Sequence, residues 1–170
     1  MNRSLTEGSI TKTMLLFSVP MIVGDLLQQF YNIADTFIVG RFVGSSALAA
    51  VGSAYALMIF LTSIIIGLSM GSSALFSICF GQKNMDKLRN CIFVAFLIIG
   101  AATVVLNILA FLFIDPILIF LKTPSEIYDM MRSYVFIIFT GLCATFFYNF
   151  FASLLRSIGN SFIPLVFLAV

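Results

Sequence analysis

An all-α, polytopic membrane protein is the fold class this sequence predicts, on three observations. Hydrophobic residues make up 61% of the 170 residues and charged residues 9%, where a soluble domain carries about 25% charge. Apolar runs long enough to cross a hydrocarbon core of about 30 Å as helices, about 20 residues each, recur four times. Lys and Arg gather in the short polar connections between them, as topogenic charges do.

The elements follow in order. Residues 1–12 are a polar leader with Arg3 and Lys12, in which Thr6 to Ser9 can cap a helix entering the membrane. The first span runs over about 14–39, and its length calls for tilt or a bend. Pro20 removes a backbone donor inside it and marks either a kink or the boundary of an interfacial turn. Asp25 and the length of the run argue against a cleaved signal peptide. A turn over Gly40 to Ser46, with Arg41, leads to a second span over about 47–80. Its second half is rich in small residues, with Gly67 and Gly71 at GxxxG spacing, which predicts a closely approaching neighbour helix. Ser69, Ser72 and Ser73 on this stretch could instead line a path for substrate.

Gln82 to Asn90 reads as a hydrophilic loop with Lys83, Lys87 and Arg89 against Asp86. The third span, about 91–114, carries only Thr103 and Asn107 as polar residues, and Asp115-Pro116 is expected to end it. A loop with a short amphipathic element follows, in which Pro124, Ser125, Glu126 and Asp129 resemble a helix start. The fourth span covers about 134–155, Arg156, Gly159 and Asn160 make a turn, and a fifth span opens at about 161. Ten residues do not cross a bilayer as a helix, so the chain is expected to stop inside that element. Orientation follows from Lys and Arg alone. Arg3, Lys12, Lys83, Lys87, Arg89 and Arg156 fall on one side and Arg41, Lys122 and Arg132 on the other, which predicts a cytoplasmic N-terminus.

One stretch of the first span carries chemistry. Asp25, Gln28, Gln29, Asn32, Asp35 and Thr36 recur at helical spacing and form a polar stripe. Leu26, Leu27, Phe30, Ile33, Phe37 and Ile38 face the other way. A charge at the bilayer centre costs at least about 2.5–3.5 kcal/mol, so such residues face a bundle interior or a watery cavity. A carboxylate there can exchange a proton or offer a hard oxygen ligand to Na⁺. Asp25 and Asp35 lie about 15 Å apart along the axis, so they do not grip one ion. Tyr148 and Asn149 of the fourth span are further cavity candidates. Gln28, Gln29, Asn32 and Thr36 are also suited to interhelical hydrogen bonds.

The leader LTEGSITKTMLLFSVP, the run QQFYNIADTFIVGRFVGSSALAAVG, the segment GLSMGSSALFSICFGQKN and the turn LLRSIGNSFIPL resemble bacterial multidrug and toxic compound extrusion (MATE) transporters. YNIADTFIVGR followed by ALAAVG is the most specific part. The resemblance implies a twelve-helix protein of two six-helix lobes that exports lipophilic, often cationic drugs in exchange for Na⁺ or H⁺. This chain would then be the N-terminal part of one six-helix lobe, four full transmembrane helices plus the start of a fifth, in the cell membrane of a bacterium. The resemblance also implies that Asp35, in its ADTFIVG context, belongs to the cation-coupling site. It implies no cofactor beyond the coupling ion, and it makes the missing helices and second lobe the chain's partners.

Other classes fit less well. A flippase for lipid-linked envelope precursors calls for Lys or Arg inside the spans, where this chain has acids. A non-transporting membrane scaffold predicts that Asp35→Asn is harmless. With no His, no nucleophile elbow and no paired acid and base, an enzyme is not expected, and the absence of His and Trp argues against a haem or nitrogen-rich metal site. The net charge of +2 gives no footing for a nucleic-acid partner. Cys79, Cys91 and Cys143 lack metal-ligand spacing and read as free thiols.

Overall fold

A computed structural model describes residues 10–121 and 123–169. The expected leader cap over Thr6 to Ser9 lies outside the described residues, as do Arg3 and Lys122. Every regular element among the described residues is helical: α1 (Ile10–Ile38), α2 (Ser45–Gly81), α3 (Met85–Leu112), α4 (Ile114–Phe120), α5 (Tyr128–Thr140), α6 (Leu142–Ser157) and α7 (Phe162–Ala169). Three helices are long and apolar enough to cross a membrane, and α5 with α6 makes a fourth span that is bent by 42°.

The first helix continues through Pro20, which therefore is not a boundary. The expected turn over Gly40 to Ser46 is instead helix for most of its length. Val39–Val43 continue α1 as a π-helical turn, closed by the Gly44 amide donating to the Val39 carbonyl at 3.2 Å. The reversal itself falls on Gly44, whose φ of 113° a side chain would disfavour.

The 37 residues of α2 extend about 55 Å, more than a bilayer core requires. Its buried residues Ala50, Ala54, Leu61, Ile65, Ser69, Phe76 and Cys79 repeat at three, four and seven positions. That stripe is the axis on which α3, α5 and α6 pack. Phe76, Phe96, Phe146 and Phe150 join in edge-on and tilted pairs, with ring centroids 5.3–6.1 Å apart in four of those contacts. Gly67 and Gly71 are exposed, and a Cβ at either would meet nothing within 4 Å. The close helix approach expected of their spacing is absent among the described residues.

The hydrophilic loop is shorter than the sequence suggests. Asn84 caps α3 by accepting from the Lys87 amide at 3.0 Å, so Asp86, Lys87 and Arg89 lie on the first turns of the helix. Nor does Asp115-Pro116 terminate a span. α3 ends at Leu112, and both residues sit in the first turn of α4, where a proline's missing donor goes unused. The helix start expected at Pro124 comes later. Pro124 and Ile127 close a turn, and α5 begins at Tyr128. Asp115 ties α4 to α5 by accepting from Arg132 Nε at 2.7 Å and from the Tyr128 hydroxyl at 3.0 Å.

The fourth span breaks at Gly141. Its amide donates to the Ile138 carbonyl, three residues back, instead of continuing the i→i−4 ladder. Asn107 of α3 reaches across and donates from Nδ2 to the Phe139 carbonyl at 2.6 Å. The expected turn at the end of α6 is present. Gly159 (φ 89°) donates to the Arg156 carbonyl and Asn160 to that of Leu155, the pairing of a Schellman motif. Asn160 then caps α7 through the Ile163 amide. The three cysteines are free thiols, as expected.

Candidate functional site

The polar stripe lies on α1, which packs chiefly on α7 and reaches α2 through the π-helical turn. Phe17, Gly24 and Tyr31 repeat every seven residues and form the seam with α7. The Phe17 carbonyl accepts from the Ser161 hydroxyl at 3.0 Å, and Tyr31 donates to the Leu168 carbonyl at 3.3 Å. A Cβ on Gly24 would stand 3.7 Å from Leu165 and 3.9 Å from Leu168. The two helices run in the same direction, because Ser161 pairs with Phe17 and Leu168 with Tyr31.

That seam divides the stripe. Gln28 and Asp35 each lie four residues beyond a seam position, so they share the α7 side of the helix. Asp35 sits one turn past Tyr31. It is exposed. Asn32 and Thr36 turn toward α2 and, together with Ile33 and Phe37 of the apolar face, line a groove of about 510 Å³ opposite Gly52 and Tyr55. Asp25, Gln28 and Gln29 are exposed. The apolar face is in place, with Leu26, Phe30, Ile33, Phe37 and Ile38 exposed and Leu27 half-buried.

Interhelical hydrogen bonding from the stripe is not seen. The Thr36 hydroxyl donates to the Asn32 carbonyl of its own helix at 2.8 Å. Among the described residues, no hydrogen bond joins Gln28, Gln29 or Asn32 to another helix. Tyr148 and Asn149 are half-buried on α6, and the Asn149 amide is spent on the Thr145 carbonyl, again within one helix. Of the serines on α2, Ser73 bonds back to Met70, Ser72 is half-buried, and Ser69 is 1% exposed with no partner for its hydroxyl. Among the described residues no three His, Cys, Asp or Glu side chains converge as a metal cluster would.

One aromatic residue, Tyr55, joins the site that the sequence did not single out, because it lay in an apolar run. Its signal was a polar tip on an apolar ring, which finds a use when it faces other polar groups. What the site can do chemically is limited and clear. It offers an exposed carboxylate and a largely apolar groove that carries an amide, a hydroxyl and the Tyr55 phenol, on or beside an otherwise apolar helix.

Comparison with known proteins gives a consistent result. The MatE family model matches residues 20–170. The chain is 27% identical over 164 residues to the probable multidrug resistance protein YpnP of Bacillus subtilis, covering 96% of this chain and 37% of that one. It is 31% identical over 165 residues to the probable multidrug resistance protein YoeA of the same organism, covering 97% and 36%. An FAD transporter of Shewanella oneidensis is 24% identical over 141 residues, covering 81% of this chain and 30% of its own length. Among solved structures, the crystal structure of a MATE proline-to-alanine mutant superposes with a TM-score of 0.89 at 22% identity. It covers 97% of this chain and 37% of that one, and it shows the same fold. The chain thus spans about a third of the length of the relatives it matches.

Proposed function

This chain belongs to the MATE family, and from that premise we propose that it forms the N-terminal part of a cation-coupled antiporter exporting lipophilic, often cationic drugs. The observation that carries the reading is Asp35. It is an exposed carboxylate in an otherwise apolar helix, one turn beyond the Tyr31 contact with α7. A lone carboxylate in that setting either takes up a proton or supplies an oxygen to Na⁺. Ion and drug are then coupled because occupancy by one alters the binding energy of the other. The names of the two Bacillus relatives support drugs as cargo. The remaining helices and the second lobe are the partners this reading requires, and the distribution of Lys and Arg supports a cytoplasmic N-terminus.

The Shewanella relative's name favours a second cargo, an anionic dinucleotide. It ranks lower because the stripe presents acids and amides with no Lys or Arg among them.

Ethidium export, driven by an imposed Na⁺ or H⁺ gradient, tests the reading in cells carrying the complete reading frame. Wild type is expected to export and Asp35→Asn to lose ion-driven export at equal expression. Equal export by the two would remove Asp35 from coupling. FAD export without ethidium export would establish the second cargo.

A further inference from the structure

We propose that the groove between the start of α3 and the end of α6 binds an anionic phospholipid, with the headgroup phosphate at Arg89 and an acyl chain along the aromatic floor. The groove encloses about 510 Å³ and extends from Met85 to Phe96 on α3, with Phe150 and Phe151 as its α6 wall. Arg89 and Asn90 lie near the middle of its α3 wall, with Met85 and Leu88 on their loop side, and from Ile92 onward every lining residue is apolar.

Length and charge together select the occupant. Arg89 to Phe96 spans about 10 Å at 1.5 Å per residue, within the roughly 15 Å half-thickness of a hydrocarbon core. An acyl chain can therefore run inward from a phosphate at Arg89 without leaving its leaflet. Lys83 in the adjacent connection and Lys87 and Arg89 on the first turns of α3 stand against the single acid Asp86, and none of the three cations forms an ion pair among the described residues. Basic pockets between helices at a membrane surface suit anionic headgroups. A second groove, between α2 and α3, makes the contrast. It holds about 420 Å³, and its lining from Ala56 to Leu121 contains no charged residue, so it offers nothing to a phosphate.

The floor is rigid enough to be a site. Phe150 is 1% exposed and Leu88 7%, and Phe96 packs edge-on against Phe150 with centroids 5.3 Å apart. Phe93 and Phe151 stand exposed on either side, leaving a channel with an ordered base and two aromatic walls. This proposal does not depend on transport.

The test uses the protein from its complete reading frame, released from vesicles of equal phosphatidylglycerol and phosphatidylcholine with matched acyl chains, and counts retained lipid by native mass spectrometry. One surface cation is worth about fivefold in affinity for an anionic lipid. Wild type is expected to retain phosphatidylglycerol about fivefold over phosphatidylcholine, and Arg89→Gln to retain the two almost equally. Lys12→Gln, a cation on α1, should keep the wild-type ratio. An excess of inorganic phosphate should not displace the lipid. The proposal is overturned if wild type shows no preference, if Arg89→Gln keeps it, if Lys12→Gln loses as much, or if phosphate strips the lipid. Arg89 is exposed, and helical content before and after substitution confirms that each variant is folded.

Discussion

Replacing Asn107 by Leu should loosen the joint between α5 and α6 more than its place in an apolar helix would suggest. The break at Gly141 turns the span by 42° and interrupts its ladder, and the Asn107 amide donates to the Phe139 carbonyl at 2.6 Å across the helix interface. Phe139 is 1% exposed, so water does not replace a lost donor. Interhelical hydrogen bonds in membranes average about 0.6 kcal/mol and reach about 1.7. A buried carbonyl left short of a donor costs about 1–3 kcal/mol. The short distance and the burial place Asn107→Leu toward the upper part of the first range, at about 1–1.7 kcal/mol. Leu restores apolar volume, so little of that loss comes from a cavity.

Equilibrium unfolding in mixed micelles, followed by circular dichroism, measures the effect. A coupled substitution separates the hydrogen bond from general repacking. At Gly141 an added Cβ would stand 3.3 Å from the Ile138 carbonyl, so Ala there opposes the break and favours a continuous helix. In a straightened span the Phe139 carbonyl regains its own helix's donor, and Asn107 has less to supply. Asn107→Leu should therefore cost under about 0.5 kcal/mol in the Gly141→Ala background, a coupling of about 1 kcal/mol. Strict additivity of the two substitutions, or an unchanged midpoint for Asn107→Leu alone, would refute the reasoning.

Two further outcomes follow from contacts outside the polar stripe. Arg132, and after it the Tyr128 hydroxyl, hold the Asp115 carboxyl below its ordinary value of 3.8. A depressed folded-state value stabilises above that pH and is lost as pH falls through it. Arg132→Gln should therefore speed amide exchange over 114–128 at pH 7, and the difference from wild type should shrink below about pH 4. A difference that is constant down to pH 3 would show that the pair contributes nothing through its charge. Gly159→Ala should destabilise by about 1 kcal/mol, because φ of 89° is strained for any side chain. Gly67→Ala, in open helix with nothing within 4 Å, should be neutral or stabilising by up to about 1 kcal/mol. Equal thermal shifts for the two would contradict this.

The fold was legible in the sequence where one residue's chemistry decides locally. Four apolar runs gave four spans, and Gly159 with Asn160 gave a turn whose hydrogen bonds match its residues. Reading failed where two local signals compete. Pro20 and Pro116 are both helix breakers by rule, yet one sits in the interior of α1 and the other in a first turn that loses nothing. Gly141 carries no stronger breaker signal than Gly67, and only its neighbours in space make it the bend. Arg41 and Gly40 read as a turn because nothing in their spacing distinguishes a π-helical turn from a loop. Of the site, the stripe's composition was legible but its division was not. Seven-residue spacing of Phe17, Gly24 and Tyr31 becomes a seam only once α7 lies against it.

That division bears on how the stripe could couple. α2, α3, α5 and α6 share one buried core, whereas α1 is held by α7 and joined to α2 through the π-helical turn. A helix with few buried contacts moves at low cost relative to a packed bundle. Among the described residues, Asp35 therefore sits on a helix outside the shared buried core. If Asp35 binds the coupling ion as proposed, occupancy acts first on that helix. Holding α1 to the core by a disulfide engineered across the Asn32–Tyr55 groove should then abolish gradient-driven export in the complete protein. Reduction should restore it. Export that persists with the bridge closed would place the coupling motion elsewhere.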